Sequence, residues 1–348
     1  MVSTPAPSDH LHALGESEAF LNLQEQISRA AKTERPVILI GERGTGKELA
    51  AARLHLLSPR WQQPYVTMNC SSLAESLIES ELFGHEAGAF TGALRLRKGR
   101  FETANGGTLF LDEIATLPRT AQEKILRAVE YGQLERVGSS RTLSVDVRLV
   151  AATNVDLRAL AEAGRFRHDL LDRLSFEVLV VPPLRERRED ILLLARHFAR
   201  RMAAELALGY QPEFSPAAVR ALLEHPWPGN IRELKNVVER AVYRAEGPVV
   251  EQVEFDPFAR VRGLGLATPP EPAVVPVSTP SAPPAPPADD TADLPLPEAV
   301  CQLEIRRLRA ALEECQFNQR RAAQRLGLTY HQFRGLYRKH RGALGLNR

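Results

Sequence analysis

Cysteine is scarce: 348 residues hold three, Cys70, Cys301 and Cys315, odd in number and widely spaced. A disulfide framework is thereby excluded, and no zinc-ligand spacing is present. The thiols read as reduced, as in a cytoplasmic protein. No apolar run approaches the roughly 18 residues that a membrane span needs, so direct membrane insertion is not expected. The N-terminus "MVSTPAPSDHLHALGE" lacks the basic-then-apolar layout of a signal peptide. No internal repeat is visible. Net charge is also small, at +2, but unevenly spread. From Glu298 onward 11 Lys and Arg face 4 Asp and Glu, so this tail carries +7 and the rest of the chain −5. A short basic tail on a slightly acidic body points to a polyanion met by the tail alone; a solvated basic helix would have the same charge.

The chain is long enough for two or three domains, with a composition ordinary for a soluble protein (44% hydrophobic, 25% charged). Nine of its 25 prolines fall between Thr268 and Ala288, a density that cannot build a packed core and reads as an extended linker. Before it, the apolar runs "PVILI", "YVTMNC", "GTLFLDE" and "VRLVAATN" alternate with helical patterns such as "GKELAAARLHLL" and "TAQEKILRAVEYG". That alternation predicts an α/β domain around a parallel sheet. From Arg185 the pattern is helical only, with Ser215–Pro216 set to cap and open one helix.

"GERGTGK", Gly41 to Lys47, follows the first strand and opens a helix, the setting a phosphate-binding loop requires. Its backbone (Gly41, Glu42, Arg43, Gly44, Thr45, Gly46) would wrap phosphates while Lys47 reaches the outer ones. Glu48 stands where Ser or Thr commonly helps hold magnesium, which shifts that duty to water and a carboxylate elsewhere. "TLFLDE" supplies one. Asp112 and Glu113 leave a strand at its carboxyl edge, 65 residues beyond Lys47 for Asp112. Asp112 would orient Mg2+ and Glu113 would polarise the attacking water, although an Asp-Glu pair can also be a plain turn. Asn69 and Asn154 end two further strands and would sense the terminal phosphate, or serve as turn residues. Arg167 and Arg173, in "GRFRHDLLDRLSF", could reach a neighbour's nucleotide, or could pair on the surface with Asp169 and Asp172.

"GHEAGAFTGALR", Gly84 to Arg95, has three glycines, one aromatic residue and no nucleophile or metal-ligand spacing. It suits a mobile arm presenting Phe90, not a catalytic site.

Together "GERGTGKE", "SELFGHEAGAFTGA", "GGTLFLDEI", "LLDRL", "PPLRERRED" and "WPGNIRELKNVVER" resemble the AAA+ activators of sigma-54 RNA polymerase, above all the branch that switches on phage-shock (envelope stress) genes. The resemblance spans nearly the whole chain except the proline-rich linker. It implies an AAA+ P-loop NTPase with a helical lid and a C-terminal all-α helix-turn-helix, using ATP and Mg2+, binding enhancer DNA and remodelling the closed promoter complex to the open one. The implied divisions are an extension (1–12), the α/β subdomain (13–184), the lid (185–260), the linker (261–293) and the DNA-binding domain (294–348).

On this resemblance Gly88, Ala89, Phe90, Thr91, Gly92 and Ala93 form the sigma-54-contacting loop, aided by Arg136 and Val137 of a second loop, "YGQLERVGSS". Asn69 holds Glu113 toward or away from water. Asn154 lies on the first sensor strand, and Arg232 is the second sensor, reaching down from the lid. Arg167 and Arg173 are trans-acting fingers, which demands self-association from dimer to hexamer ring. In this family Glu48 is ordinary. The tail reads helix, turn, helix, with Gly327 at the turn, Thr329 capping the second helix, and Arg321, Tyr330, His331, Gln332, Arg334, Arg338 and Lys339 available to DNA. "EIRRLRAALEEC" would help form the dimer. About 20 residues precede the nucleotide domain, too few for a receiver or sensing domain, so restraint is expected in trans from a regulator resembling phage-shock protein A. Trp61 is a candidate contact for it, unless that ring merely covers the sheet edge. Two rivals share some features: a regulator of ordinary polymerase using ATP only for assembly, and a AAA+ remodeller outside transcription. The first would have no use for "GAFTGA" or Asp112–Glu113, and the second none for that arm beside a helix-turn-helix.

Overall fold

In the computed structural model, residues 13–90, 92–258, 296–315, 318–340 and 342–343 are described. The N-terminal extension, Thr91 and the proline-rich linker lie outside them. The chain divides into two compact units, one up to Gly265 and one from Leu266.

The first unit is built on a five-stranded parallel sheet: β1 (Val37–Ile40), β2 (Tyr65–Asn69), β3 (Thr108–Asp112), β4 (Arg148–Thr153) and β5 (Glu177–Val180), in spatial order β2-β3-β4-β1-β5. β1 to β4 are the four apolar runs marked in the sequence. β5, "EVLV", was not among them, because only Leu179 of its four residues is buried and the strand forms the open edge. Alternate side chains separate two cores. Val37 and Leu39 pack with Leu23 and Ile27 of α1 (Glu18–Ala31) and Leu54 of α2 (Lys47–Leu56). Ile38 faces the other way, toward the layer holding Ile78 and Leu82 of α3 (Glu75–Phe83), Phe101 of α4 (Arg100–Thr103), Ile125 of α5 (Arg119–Tyr131), Leu157 of α6 (Leu157–Glu162) and Leu170 of α7 (His168–Leu174). The Arg148 guanidinium, 2% exposed, donates to Ala30 O at 2.9 Å and Ala31 O at 3.3 Å. It thus places a cation at the negative end of α1.

The lid comprises α8 (Arg188–Glu205), α9 (Pro216–Glu224) and α10 (Asn230–Arg244) around Ile191, Leu194, Trp227, Leu234 and Val238. Each such buried side chain contributes ~1.5–3 kcal/mol of burial. Ser215 Oγ accepts from Ala218 N at 3.1 Å and Pro216 opens α9. A two-residue parallel pairing, Glu213–Phe214 with Val249–Val250, interrupts the purely helical pattern. Asp190 of α8 accepts from Glu16 N, Ser17 N and Ser17 Oγ, which ties the start of α1 to the lid.

The second unit has α11 (Leu296–Glu314), α12 (Gln319–Arg325) and α13 (Tyr330–His340) around Leu308, Leu312, Ala322 and Phe333. Asn318 caps α12, Gly327 turns with φ +66°, and Thr329 Oγ1 accepts from Gln332 N at 3.4 Å at the start of α13. Among the described residues no helix is long and apolar enough to cross a membrane.

Candidate functional site

The loop from Gly41 to Lys47 joins β1 to α2. Gly44 and Gly46 take φ +77° and +97°, and a side chain on Gly44 would lie 2.4 Å from Gly229 O of the lid. Only glycine satisfies both constraints. Lys47, 7% exposed, donates to Gly41 O at 2.8 Å and Glu42 O at 3.1 Å. Burial lowers its pKa, and the charges of Glu113 and Asp112 act against that. Thr45 Oγ1 donates to Glu42 O, while Arg43 and Glu48 are exposed. Beside Gly46 lies an apolar cavity of about 100 Å³, lined by Leu14, Leu23, Ala50, Phe198 and Ile231 among others. Its residues come from both subdomains, so no local motif announced it.

Asp112 and Asn69 are register partners on β3 and β2, and Asn69 Nδ2 donates to Asp112 Oδ2 at 3.2 Å. Glu113 follows in the left-handed region (φ +54°, ψ +47°), a conformation that costs a non-glycine residue roughly 1–2 kcal/mol. Its carboxylate meets Asn154 at the end of β4. With the amide oriented donor to acceptor, Asn154 donates to Glu113 Oε2 at 2.9 Å and accepts from Arg43 Nε at 3.2 Å. The resemblance puts Asn69 on Glu113, whereas here Asn69 meets Asp112 and Asn154 takes Glu113. The register aligns Asn69 with Asp112, one residue short of Glu113.

The lid closes on the loop chiefly through two side chains the sequence did not mark as site residues, Asn230 and Arg185. Asn230, fully buried at φ +53°, donates through Nδ2 to Glu42 Oε2 (3.0 Å) and Arg43 O (3.1 Å), and accepts at Oδ1 from Leu184 N (2.8 Å). Arg185 grips the same Glu42 carboxylate at 2.6 and 2.9 Å. Arg185 first and Asn230 second bring the Glu42 pKa down to about 2. Ile231 N and Arg232 N donate to Gly44 O, so Arg232 stands over the loop with its side chain exposed. The signal available in sequence was Pro228-Gly229-Asn230, which entered only as part of the segment "WPGNIRELKNVVER" that carries the family resemblance.

Arg167 lies at the start of α7 with its guanidinium on Asp169 (3.0 and 2.6 Å) and 3.8 Å from Glu123, which draws the Asp169 pKa to about 2. Arg173 pairs with Glu130 of α5, not Asp172. Both arginines thus have carboxylate partners within the chain.

The projecting loop springs from a short antiparallel pairing of Gly84–His85 with Arg97–Lys98. Gly88 and Gly92 have φ +84° and +100° with open space around them, and Gly88 N donates to Ala93 O at 2.7 Å. Phe90 is 42% exposed, its ring edge-on to His85 at 4.9 Å. Thr91 lies outside the described residues. Ala89 touches the second loop, since a side chain on Gly138 would meet its Cβ at 2.7 Å. Val137 exchanges backbone hydrogen bonds with Gly84 O and Glu86 N. Arg136, expected to aid the sigma-54-contacting loop from the second one, has its guanidinium mostly buried on Glu102 (2.9 and 2.7 Å) and Glu86 (2.8 Å), so it clamps the base of the arm. Those two carboxylates, Glu102 foremost, raise its pKa.

Trp61, in the stretch after α2, is 56% exposed, and Leu56 and Leu57 at the end of α2 are exposed too; it is not a ring sealed over the sheet edge. In the second unit Arg321, Tyr330, His331, Arg334 and Arg338 are exposed. Gln332 Oε1 accepts from Thr329 N and Oγ1 at 3.0 and 2.9 Å, and Lys339 pairs with Glu304 at 3.0 Å. These two side chains therefore also serve the helix cap and the packing of α13 on α11.

Comparisons with known proteins agree with this layout. Residues 13–179 match the sigma-54 interaction domain, 185–263 the AAA+ ATPase lid domain, and 300–339 the Fis family of bacterial regulatory proteins. The chain is 54% identical over 330 residues to the Psp operon transcriptional activator of Escherichia coli (strain K12), covering 94% of this chain and 97% of that one. It is 43% identical to the transcriptional regulatory protein ZraR of the same strain, over 94% of this chain and 68% of that one. Among solved structures, NtrX from Brucella abortus in complex with ADP aligns with a TM-score of 0.66 at 33% identity, over 97% of this chain and 70% of the other. The ATP complex aligns at 0.65 and 32%, over 96% and 69%.

Proposed function

The chain belongs to the family of sigma-54-dependent AAA+ transcriptional activators, and from that premise we propose that it couples ATP hydrolysis in a ring of its own copies to opening of the sigma-54 promoter complex. It has an ATPase domain of the sigma-54 interaction class and a Fis-type DNA reader. The observation that carries the coupling is a division of labour within one unit. Lys47, Asp112, Glu113 and Asn154 converge on one sheet edge, while Phe90, on the projecting arm, has no group able to bind phosphate.

In this reading Lys47 and the backbone of residues 41–46 hold the phosphates, and Arg232 approaches from the lid. Glu113 orients the attacking water, with Asn154 positioning its carboxylate. Asp112, an oxygen donor beside the Lys47 ammonium, suits a Mg2+ ion whose other ligands are water and phosphate. When bound, that ion neutralises charge on the transferring group. Arg167 and Arg173 act on a neighbour's nucleotide. The targets are phage-shock genes, with Trp61 the contact for a trans-acting regulator resembling phage-shock protein A. The domains proposed on this reading are 13–184, 185–260 and 294–348.

Reconstitution on a sigma-54 promoter tests the whole. Open complexes should form with ATP and not with a non-hydrolysable analogue; opening that proceeds equally without hydrolysis would refute the coupling.

Phe90→Ala should separate the two functions. ATP turnover by assembled rings should stay near native, whereas capture of sigma-54 with the ATP transition state mimicked should weaken, because losing an aromatic anchor commonly costs ~2 kcal/mol or more at an interface. Native sigma-54 capture by the variant would remove Phe90 from the contact.

Removal of residues 289–348 should leave ATP turnover intact and abolish binding to specific upstream DNA. Full-length binding should weaken steeply with salt as Lys and Arg release counterions. A truncated chain that still footprints the same DNA would place the reader elsewhere.

A further inference from the structure

Glu42 sits at the second position of the phosphate-binding loop, yet its carboxylate turns toward the lid. There it meets Asn230 and Arg185, groups 188 and 143 residues away in the chain. The Asn230 amide joins three segments: the loop through Glu42 and Arg43, the crossover into the lid through Leu184, and the first turn of α10. Asn230 itself is fully buried and left-handed, the region asparagine tolerates better than most residues, while the Glu42–Arg185 pair it meets is partly exposed. The next two backbone amides reach Gly44 O. Behind this turn Glu233 accepts from Gly229 N at 2.7 Å and meets His225 at 3.0 Å, while His225 stacks on Phe255 at 4.2 Å between centroids. The turn is therefore supported from the lid side and engaged on the loop side.

We infer that Asn230 is a latch between the lid and the nucleotide loop, with Glu42 as its receptor: a positioning residue that fixes where Arg232 stands over the site and sets how the lid engages when nucleotide binds. The inference rests on the ATPase reading above. Its chemistry is directional, because the amide must donate to Glu42 and accept from Leu184. A carboxylate at position 230 keeps the second contact and opposes the first.

Asn230→Asp should lower kcat/KM for ATP at least about tenfold, the size expected for a part-buried hydrogen bond to a charged partner, mainly through KM. Glu42→Gln should regain part of that loss when combined with Asn230→Asp, since the glutamine amide can donate to the new carboxylate. A purely structural role for Asn230 predicts no such rescue. Asn230→Gly, which accepts the backbone conformation but lacks the amide, should speed hydrogen exchange at the Leu184 amide without nucleotide. This last measurement separates the two readings. A native chain that does not hydrolyse ATP would overturn the ATPase reading, while exchange at Leu184 still tests the latch. Native kcat/KM in Asn230→Asp, a double variant no better than the single one, or unchanged exchange at Leu184 in Asn230→Gly would each overturn the latch.

Discussion

Glu113→Ala protein is expected to bind ATP with near-native affinity and to turn it over ~10²–10⁴-fold more slowly, the range over which a positioned general base contributes. Binding should survive because Lys47 and the loop backbone form their own hydrogen-bonded unit, which Glu113 enters only as a charge in its surroundings. The left-handed backbone at position 113 complicates alanine, which is no better there than glutamate. Glu113→Gln is therefore the sharper variant: it keeps the side-chain shape and the capacity to bond Asn154, and removes only the basic oxygen. Both substitutions should lose turnover alike. Lys47→Ala should instead lose binding, since its charge meets the phosphates directly. Measuring a fluorescent ATP analogue by titration and phosphate release by stopped assay distinguishes these outcomes. Full turnover by Glu113→Gln would remove Glu113 from the mechanism.

The second large effect is expected of Arg173. Its partner Glu130 lies on the same chain and the Arg173 side chain is more than half exposed. Exposed pairs of this kind contribute only about 0–1 kcal/mol. An arginine supplied in trans during phosphoryl transfer is worth ~10³–10⁵ in rate, which corresponds to at least about 4 kcal/mol. Releasing Arg173 from Glu130 is therefore inexpensive beside what it would gain at a neighbour's phosphate. Turnover per chain should rise steeply with protein concentration as rings form. Arg173→Ala and Lys47→Ala proteins, each nearly inactive alone, should recover turnover when mixed, because a mixed interface can join an intact loop from one copy to an intact arginine from the next. No recovery in well-mixed rings, with a fully active Arg173→Ala protein, would falsify the assignment.

Much of the nucleotide edge was legible because its determinants are local. A positive φ at Gly44 and Gly46, a lysine opening the next helix, and polar residues at strand ends are all set within a few residues of chain, and glycine or strand periodicity writes them directly into the sequence. The helix-turn-helix was legible for the same reason: Gly327 and Thr329 act within their own turn. The projecting arm could be recognised as such, since two glycines in open space and a half-exposed phenylalanine need no distant partner.

What only the tertiary structure decided are the partners. Glu42 reads as a phosphate-loop residue, but its charge is taken up by Arg185 and Asn230, which the chain reaches only after the sheet is complete. Arg136 reads as a surface contact, yet Glu86 and Glu102 converge on it across 50 and 34 residues and bury it. Asn69 and Asn154 are equivalent in sequence, each a polar residue ending a strand; strand order and register give Asp112 to one and Glu113 to the other. Backbone conformation follows from short-range sterics, which a sequence displays residue by residue. The pairing of charges follows from which segments the sheet brings within a few ångströms, and that is a property of the fold.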